Sequence, residues 1–369
     1  MQRSRQIRPL KIRSSHNLPK DIEISLKEVD VRLKEYFLRN GGQDLRNLEV
    51  LDVVERDLSN IVFLLAETCS ETQRIVMKQV VHDPTNIAIT KRENQAVVEY
   101  EILQRLYPKF QKVEGCAVPR PILVIPEFEI YLMDFVEGCL LTDKFRYARL
   151  FSSRDGFHQL RDQLCNCGRW LRHLQDFTGV SAGSHDVLSG VIERAEQRLR
   201  LIEESGDPRC PKDLRRKVST FFKEQLEKLT SRKILLTGRH GDFNPWNIIV
   251  RAEGITVIDF LGYQEDCVPV DVLKMLVYLE DEMKAVTSSV TRVRGLKKSF
   301  LDSYGDLPRT PLPALLICEA MQRVVSLWGS ISRPNRRLHH RIEDNRCIKT
   351  HVSWLMNAEK MKTLCPVTI

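Results

Sequence analysis

Two quoted stretches constrain this chain more than any others: "TGRHGDFNPWNIIV" (237–250) and, shortly after it, "ITVIDFLGY" (255–263). The runs "NIIV" and "ITVI" are short, apolar and rich in β-branched residues, which is the pattern of strands. Neither run is long enough to span a membrane. His240, Asp242, Asn247 and Asp259 therefore fall at strand ends or in a loop between strands. Four groups that ionise, accept hydrogen bonds or bind metal are brought to one place.

The rest of the chain divides by character. After a basic tail (1–20), Val29, Leu33, Tyr36 and Phe37 recur at helical spacing, and "NGG" (40–42) ends that helix. Three β-rich runs follow, "NLEVLDVV" (47–54), "NIVFLLAE" (60–67) and "QRIVMKQVV" (73–81), with links short enough for an antiparallel meander. A helix is expected at about 91–107, with Val97, Val98, Ile102 and Leu106 on one side. "PILVI" and "EIYLMDFV" (129–136), joined by "PEFE", read as a hairpin. Beyond Gly138 helical patterns dominate, at 159–177, 192–205 and 213–229 and from about 271 onward. The expected domains are a tail (1–20), a sheet-rich lobe (21–136) and a helical lobe (137–369).

Composition narrows the classes. Of 369 residues, 42% are hydrophobic and 29% charged, which supports a substantial core under a soluble surface. No apolar stretch approaches the ~18–20 residues of a membrane helix, and no secretory h-region is visible, so a cytoplasmic protein is expected. The ten cysteines are scattered and read as free thiols. Net charge is +8, six of it in residues 1–20 (Arg3, Arg5, Arg8, Lys11, Arg13 and Lys20, with no acid). A second basic cluster, "SRPNRRLHHR" (332–341), faces either solvent or an anionic substrate. Neither cluster has the interleaved aromatics of a nucleic-acid platform, so no nucleic acid is expected as partner.

The polar cluster has the parts that phosphoryl transfer from a nucleotide needs, where catalysis is mostly positioning and charge. Asp242 and Asn247 are five residues apart, a separation at which a loop offers a base and a metal-binding amide on one side. Asp259, at the end of "ITVI", can present a carboxylate to the same metal. One or two carboxylates with phosphate oxygens suit Mg²⁺.

"HGDFNPWNIIV" followed by "VIDF" resembles the catalytic loop and metal-binding strand of the aminoglycoside phosphotransferase and choline kinase families, small-molecule relatives of the protein kinases. The resemblance runs from about residue 47 to 280. It implies an α+β, two-lobed, protein-kinase-like fold, with a small antiparallel-sheet N-lobe carrying one helix and a larger, mainly helical C-lobe. It further implies ATP, with GTP as an alternative, and Mg²⁺ held by Asn247 and Asp259, with Asp242 as the catalytic base. Lys78 in "IVMK" matches the strand-borne lysine that pairs the α- and β-phosphates. Glu99, followed by Leu103 and Leu106, matches the helix acid that holds such a lysine, with Glu101 as competitor. The backbone from Asp134 to Val136 would meet the adenine edge. Ser59 and Asn60 match the turn that covers the phosphates, although Arg56, Asp57 and Leu58 stand where small residues are usual. His240 would tether the catalytic loop, and Asp271 would cap the following helix and brace that loop. "GRWLRHL" (168–174) is similar to a family helix, with Gln175 where many relatives have a histidine. Phe243 and Trp246 are expected to pack the loop.

The link from Asp259 to the next helix is too short for a peptide platform, which favours a hydroxylated small molecule or glycan over a protein acceptor. The acceptor cleft is expected between helices around 140–230 and 315–350. The positive surplus favours a neutral or anionic acceptor. The alternative reading is a nucleotide-binding sensor or scaffold of pseudokinase type, which the glycine-poor covering turn favours.

Overall fold

The computed structural model describes residues 31–32, 35, 48–56, 60–67, 70–80, 94–151, 154–183, 186–229, 232–284, 290–306, 310–332 and 338–358. The basic tail and Ser59 lie outside them, and the helix expected at 29–37 is described only at Val31, Arg32 and Glu35, which are helical. The chain forms two compact units, one within residues 1–107 and 119–136 and one within 108–118 and 137–369.

In the first unit, β1 (Leu48–Arg56), β2 (Asn60–Glu67) and β3 (Ser70–Val80) form the expected meander. Next comes helix α1 (Gln95–Phe110), which runs on into the second unit. Past the two-residue β4 (Cys116–Ala117), the hairpin of β5 (Pro121–Ile125) and β6 (Ile130–Asp134) completes a five-stranded antiparallel sheet ordered β1-β2-β3-β6-β5. Asn94, at φ 40°, starts α1 by accepting the Val97 N–H at 3.3 Å, a side-chain oxygen satisfying one of the helix's orphan donors. The buried stripe of α1 is Ala96, Glu99, Ile102, Leu103 and Leu106. Val97 and Val98, expected on that stripe, are only half-buried, because a charged residue takes the buried position next to them.

The second unit begins at Pro108, in the last turn of α1, and includes β4, which pairs in parallel with a later strand. Its elements are β7 (Cys139–Leu140), α2 (Leu141–Phe151), α3 (Arg154–Thr178), β8 (Val180–Gly183), α4 (Val187–Ser205), α5 (Leu214–Glu227) and β9 (Ile234–Arg239). After these come β10 (Ile248–Arg251), β11 (Gly254–Val257), β12 (Gln264–Cys267), α6 (Pro269–Lys284), α7 (Val290–Tyr304), α8 (Leu312–Ile331) and α9 (Leu338–Met356). Two small sheets, β4-β11-β10-β7 and β12-β9-β8, interrupt the helices. Helix α8 reaches a mean hydropathy of 1.2 over 18 residues, enough by length and composition to cross a membrane. Here it is the central helix, packed by α4, α5, α6 and α9 with 67% of that window buried, and it carries Glu319, Gln322 and Arg323 inside the core. The eight described cysteines are free thiols.

Candidate active site

In the first unit, the sheet and α1 hold one buried ion pair. Lys78 stands near the end of β3, opposite Val62 on β2 and Tyr131 on β6. Its Nζ lies 2.9 Å from Glu99 Oε2 and 3.2 Å from Oε1, and neither side chain is more than 5% exposed. Glu101 is exposed on the other side of α1, so the helix periodicity decides between the two acids. Two charges taken out of water need each other, and the double contact fixes the ammonium in place. At the end of β6, Arg120 donates to both Asp134 carboxylate oxygens at 2.8 and 2.9 Å. The Asp134 N–H is spent on the Arg120 carbonyl and the Phe135 N–H on the Arg74 carbonyl. Asn60 opens β2 opposite Val80.

In the second unit, the loop after β9 is built from its backbone outward. Gly241 has φ +84°, and a Cβ there would lie 2.0 Å from the Gly262 carbonyl oxygen. Only glycine lets the loop pass so close to the segment following Asp259. Asp271, 1% exposed, accepts the His240 N–H at 2.6 Å on Oδ2 and the Gly241 N–H at 3.2 Å on Oδ1. It is the third residue of α6, which starts at Pro269, so the expected capping role is replaced by bracing of the loop alone.

His240 is fully buried, and burial pulls its imidazole below the ordinary histidine value despite Asp271, Asp242 and Asp259 nearby. The neutral ring spends both nitrogens: Nε2 donates to the Ile258 carbonyl at 3.0 Å, and Nδ1 accepts the Asp242 N–H at 3.3 Å. One side chain thus ties the loop to the strand end that presents Asp259. Beneath the loop, Phe243 stacks on Trp170 at 5.4 Å and Trp170 on Phe110 at 5.1 Å. The Trp170 indole N–H donates to the Ala117 carbonyl at 3.0 Å, which gives "GRWLRHL" its place under the site. Gln175 is core: it donates to the Val268 carbonyl and accepts from the Tyr304 hydroxyl.

Asp242 is half-exposed, with both carboxylate oxygens engaged. Oδ2 accepts from the Asn247 amide at 2.8 Å, and Oδ1 from the Lys274 ammonium, which also donates to the Gly241 carbonyl at 3.3 Å. Desolvation works to raise the carboxyl, but Lys274, with help from His240 and Asn247, outweighs it and holds the group below the ordinary aspartate value. Asn244 caps the single turn Pro245–Asn247 by accepting the Trp246 N–H at 2.9 Å. Ile258 N–H donates to the Asn247 carbonyl at 3.0 Å, so Asp259 follows directly beside Asn247. Asp259 itself has φ 66°, a left-handed conformation that costs a residue with a side chain about 1–2 kcal/mol. Such strain is typical of functional positions.

The donor set fits a hard cation. The Asn247 nitrogen is committed twice, to the Asp242 carbonyl and carboxylate, so its Oδ1 is the atom left to ligate. An amide oxygen and a carboxylate suit Mg²⁺, which keeps waters and phosphate oxygens for its other positions. Among the described residues, no group of three His, Cys, Asp or Glu is placed to hold a metal alone.

A cleft of about 340 Å³ opens beside Asp242, within the second unit. Asp242, Asn244 and Trp246 of the loop line it, together with one face each of α6, α8 and α9. The expected border from helices at 140–230 is absent among these lining residues; α6 takes that place because Asp271 draws it against the loop. Among the described residues, five carboxylates line the cleft, Asp242, Asp281, Glu282, Glu343 and Asp344, against the single ammonium of Lys274. The expectation of a neutral or anionic acceptor came from the total charge, whereas this lining has the opposite sign. The side chains of 333–341 lie outside the described residues. Trp246, expected as packing, is 46% exposed on the cleft wall, with the Arg146 guanidinium 5.1 Å above its ring. Lys274 and the acids of α6 escaped the sequence reading; their signal was polar residues at i, i+3, i+10 and i+11 from Asp271, on one face of the helix.

A carboxylate fixed at a cleft mouth, next to an amide and a second carboxylate fit for Mg²⁺, has the chemistry of phosphoryl transfer to a hydroxyl, and the fold is the two-lobed kinase-like one. A model of the phosphotransferase enzyme family (APH) matches residues 58–279, more than half of the chain. The chain belongs to that family and is a phosphotransferase with a hydroxyl acceptor. Among solved structures it is similar to a glucosamine kinase (15% identity, TM-score 0.58, covering 86% of this chain and 80% of that one). It is also similar to choline kinase from Cryptosporidium parvum Iowa II (12%, TM-score 0.53, 91% and 95%). A choline/ethanolamine kinase family protein from Mesorhizobium loti is a third (15%, TM-score 0.51, 93% and 99%). These likenesses show the fold. No curated protein sequence matches the chain.

Proposed function

We propose that this chain transfers the γ-phosphoryl group of ATP to a hydroxyl of a small molecule or sugar that also carries an ammonium group. The observation that carries the reading is the Asp242 carboxylate, oriented by the Asn247 amide at the mouth of an acid-lined cleft. Asp242 accepts the hydrogen bond of the acceptor hydroxyl and aims its oxygen; Asn247 and Asp259 hold Mg²⁺, which when bound neutralises charge on the phosphates. Lys78, fixed by Glu99, binds the α- and β-phosphates. Val136 N–H and the Asp134 backbone meet the base, and Ser59, outside the described residues, and Asn60, at the start of β2, meet the phosphates. The acid lining supports a cationic acceptor, as do the amine-bearing substrates that name the glucosamine and choline kinases.

The test offers Mg·ATP and Mg·GTP with choline, glucosamine, a short amino-sugar oligomer and their neutral analogues, and reads the mass gain of one phosphoryl group. Amine-bearing acceptors should be phosphorylated and the neutral ones poorly. Asp242→Asn should lower turnover about 10²–10⁴-fold with nucleotide affinity kept, the range for a lost general base. Asp259→Ala should weaken Mg·nucleotide binding in calorimetry. Nucleotide-induced thermal stabilisation without transfer to any acceptor would instead assign the pseudokinase-type sensor, and turnover surviving in Asp242→Asn would remove that residue from the mechanism.

A further inference from the structure

We propose that Lys274 is the positioning residue of Asp242, clamping the carboxylate from helix α6 in the one orientation that presents it to the acceptor; this rests on the reading of Asp242 given above. The first two turns of α6 grip the loop twice. Asp271 takes the backbone N–H groups of His240 and Gly241, and Lys274, three residues on and on the same helix face, takes the Gly241 carbonyl and Asp242 Oδ1. Asn247 takes Oδ2. A half-exposed aspartate with one donor can turn about its terminal torsion, whereas donors on both oxygens stop that rotation. Each oxygen keeps a second lone pair, so the clamp leaves Asp242 able to accept a hydroxyl.

Lys274 is itself one-fifth exposed and lines the cleft, so it is the only ammonium among the described residues there. The neighbouring cleft residues of α6 are Val277, Tyr278, Asp281 and Glu282, at i+3, i+4, i+7 and i+8 from Lys274. The helix face therefore runs from positive at the Asp242 end to negative about 10 Å further on, at 1.5 Å per residue. An acceptor's ammonium is drawn to the far end and its hydroxyl is left at the end where Lys274 holds Asp242.

A part-exposed ion pair adds little to stability, so a purely structural role predicts almost no effect on turnover. The experiment compares Lys274→Met and Lys274→Arg with Asp242→Asn, reading kcat and the two KM values, and in parallel measures acetylation of Lys274 by dilute acetic anhydride with mass spectrometry. Lys274→Met should lose roughly 10–100-fold in kcat, as expected of about an ångström of misplacement, with nucleotide KM unchanged. Lys274→Arg should recover most of it, since a guanidinium can reach the same oxygens. Lys274 should acetylate slowly in the parent chain and several-fold faster in Asp242→Asn, a readout that needs no acceptor. Turnover of Lys274→Met within twofold of the parent, while Asp242→Asn is inactive, would overturn the clamp and leave the proposed function standing. An acetylation rate indifferent to Asp242→Asn would overturn it as well. If both variants turn over normally, the assignment of Asp242 falls and takes the clamp with it.

Discussion

With Nε2–H given to Ile258 and Nδ1 accepting from the Asp242 backbone, a protonated His240 would lose its second bond and place a cation in a fully buried site. Its proton affinity is accordingly depressed in the folded state by burial. The unfolded chain then binds the proton more readily, so the stability due to neutral His240 is present above the ordinary value of 6.5 and is lost as pH falls below it toward the folded value. Urea unfolding should show stability falling through that window in the parent chain, and the slope should flatten in His240→Gln; equal slopes would show that the ring is charged or mobile. Legibility at this scale follows sequence separation. Asp242 and Asn247, five apart, meet as their spacing suggests, and Lys78 and Glu99 meet because a strand and the helix after it were both readable. Lys274 lies 32 residues from its partner, and nothing local ties a lysine in "VPVDVLKML" to a loop aspartate.

Helices α6, α7 and α8 share a buried ionic cluster that their apolar periodicity conceals. Glu280 pairs with Lys297 and, at 3.1 Å, with Arg323, and Arg323 donates to Glu319 at 2.7 and 3.0 Å while its guanidinium lies 4.9 Å from the Trp354 ring. Removing one member leaves a buried charge without compensation, which costs more than the intact pair contributes. Arg323→Met should lower the unfolding free energy by about 3–5 kcal/mol, seen as a lower denaturant midpoint at unchanged m-value. Adding Glu319→Met should recover part of that loss; a single variant as stable as the parent would show the cluster to be solvated. The elements themselves were legible where they are long. The meander, the hairpin and helices such as α3 and α5 follow from period and punctuation. Strands β4, β7, β8 and β12 have two to four residues, too few for any period to register, and β12, "QEDC", is polar because Asp266 within it is held by Arg194 and Arg239.

Across the whole molecule the sign of the charge changes with distance. The chain carries +8, and six of those charges sit in residues 1–20, so a cationic acceptor approaching from afar meets a net positive protein. Within the cleft the described residues present the same acceptor with five carboxylates and one ammonium. Composition reports only the sum, whereas the local field depends on which helix faces are packed together, and that is set by the fold. The two fields respond differently to salt. Screening acts over about 10 Å at 0.1 M and about 3 Å at 1 M, so salt weakens the long-range repulsion first and then the attraction between cleft and ammonium. For an amine-bearing acceptor, kcat/KM should therefore hold or rise slightly on going from very low salt to about 0.1 M, then fall roughly 3–10-fold toward 1 M through KM, with kcat little changed. A neutral analogue should show neither phase. Charge-removing variants at the far end of the cleft, Glu343→Gln with Asp344→Asn, should raise the acceptor KM at 0.1 M and flatten the high-salt fall. If the amine-bearing and neutral acceptors share one salt profile, the carboxylates of the cleft do not recognise an ammonium, and the acceptor must be selected by shape and hydrogen bonding instead.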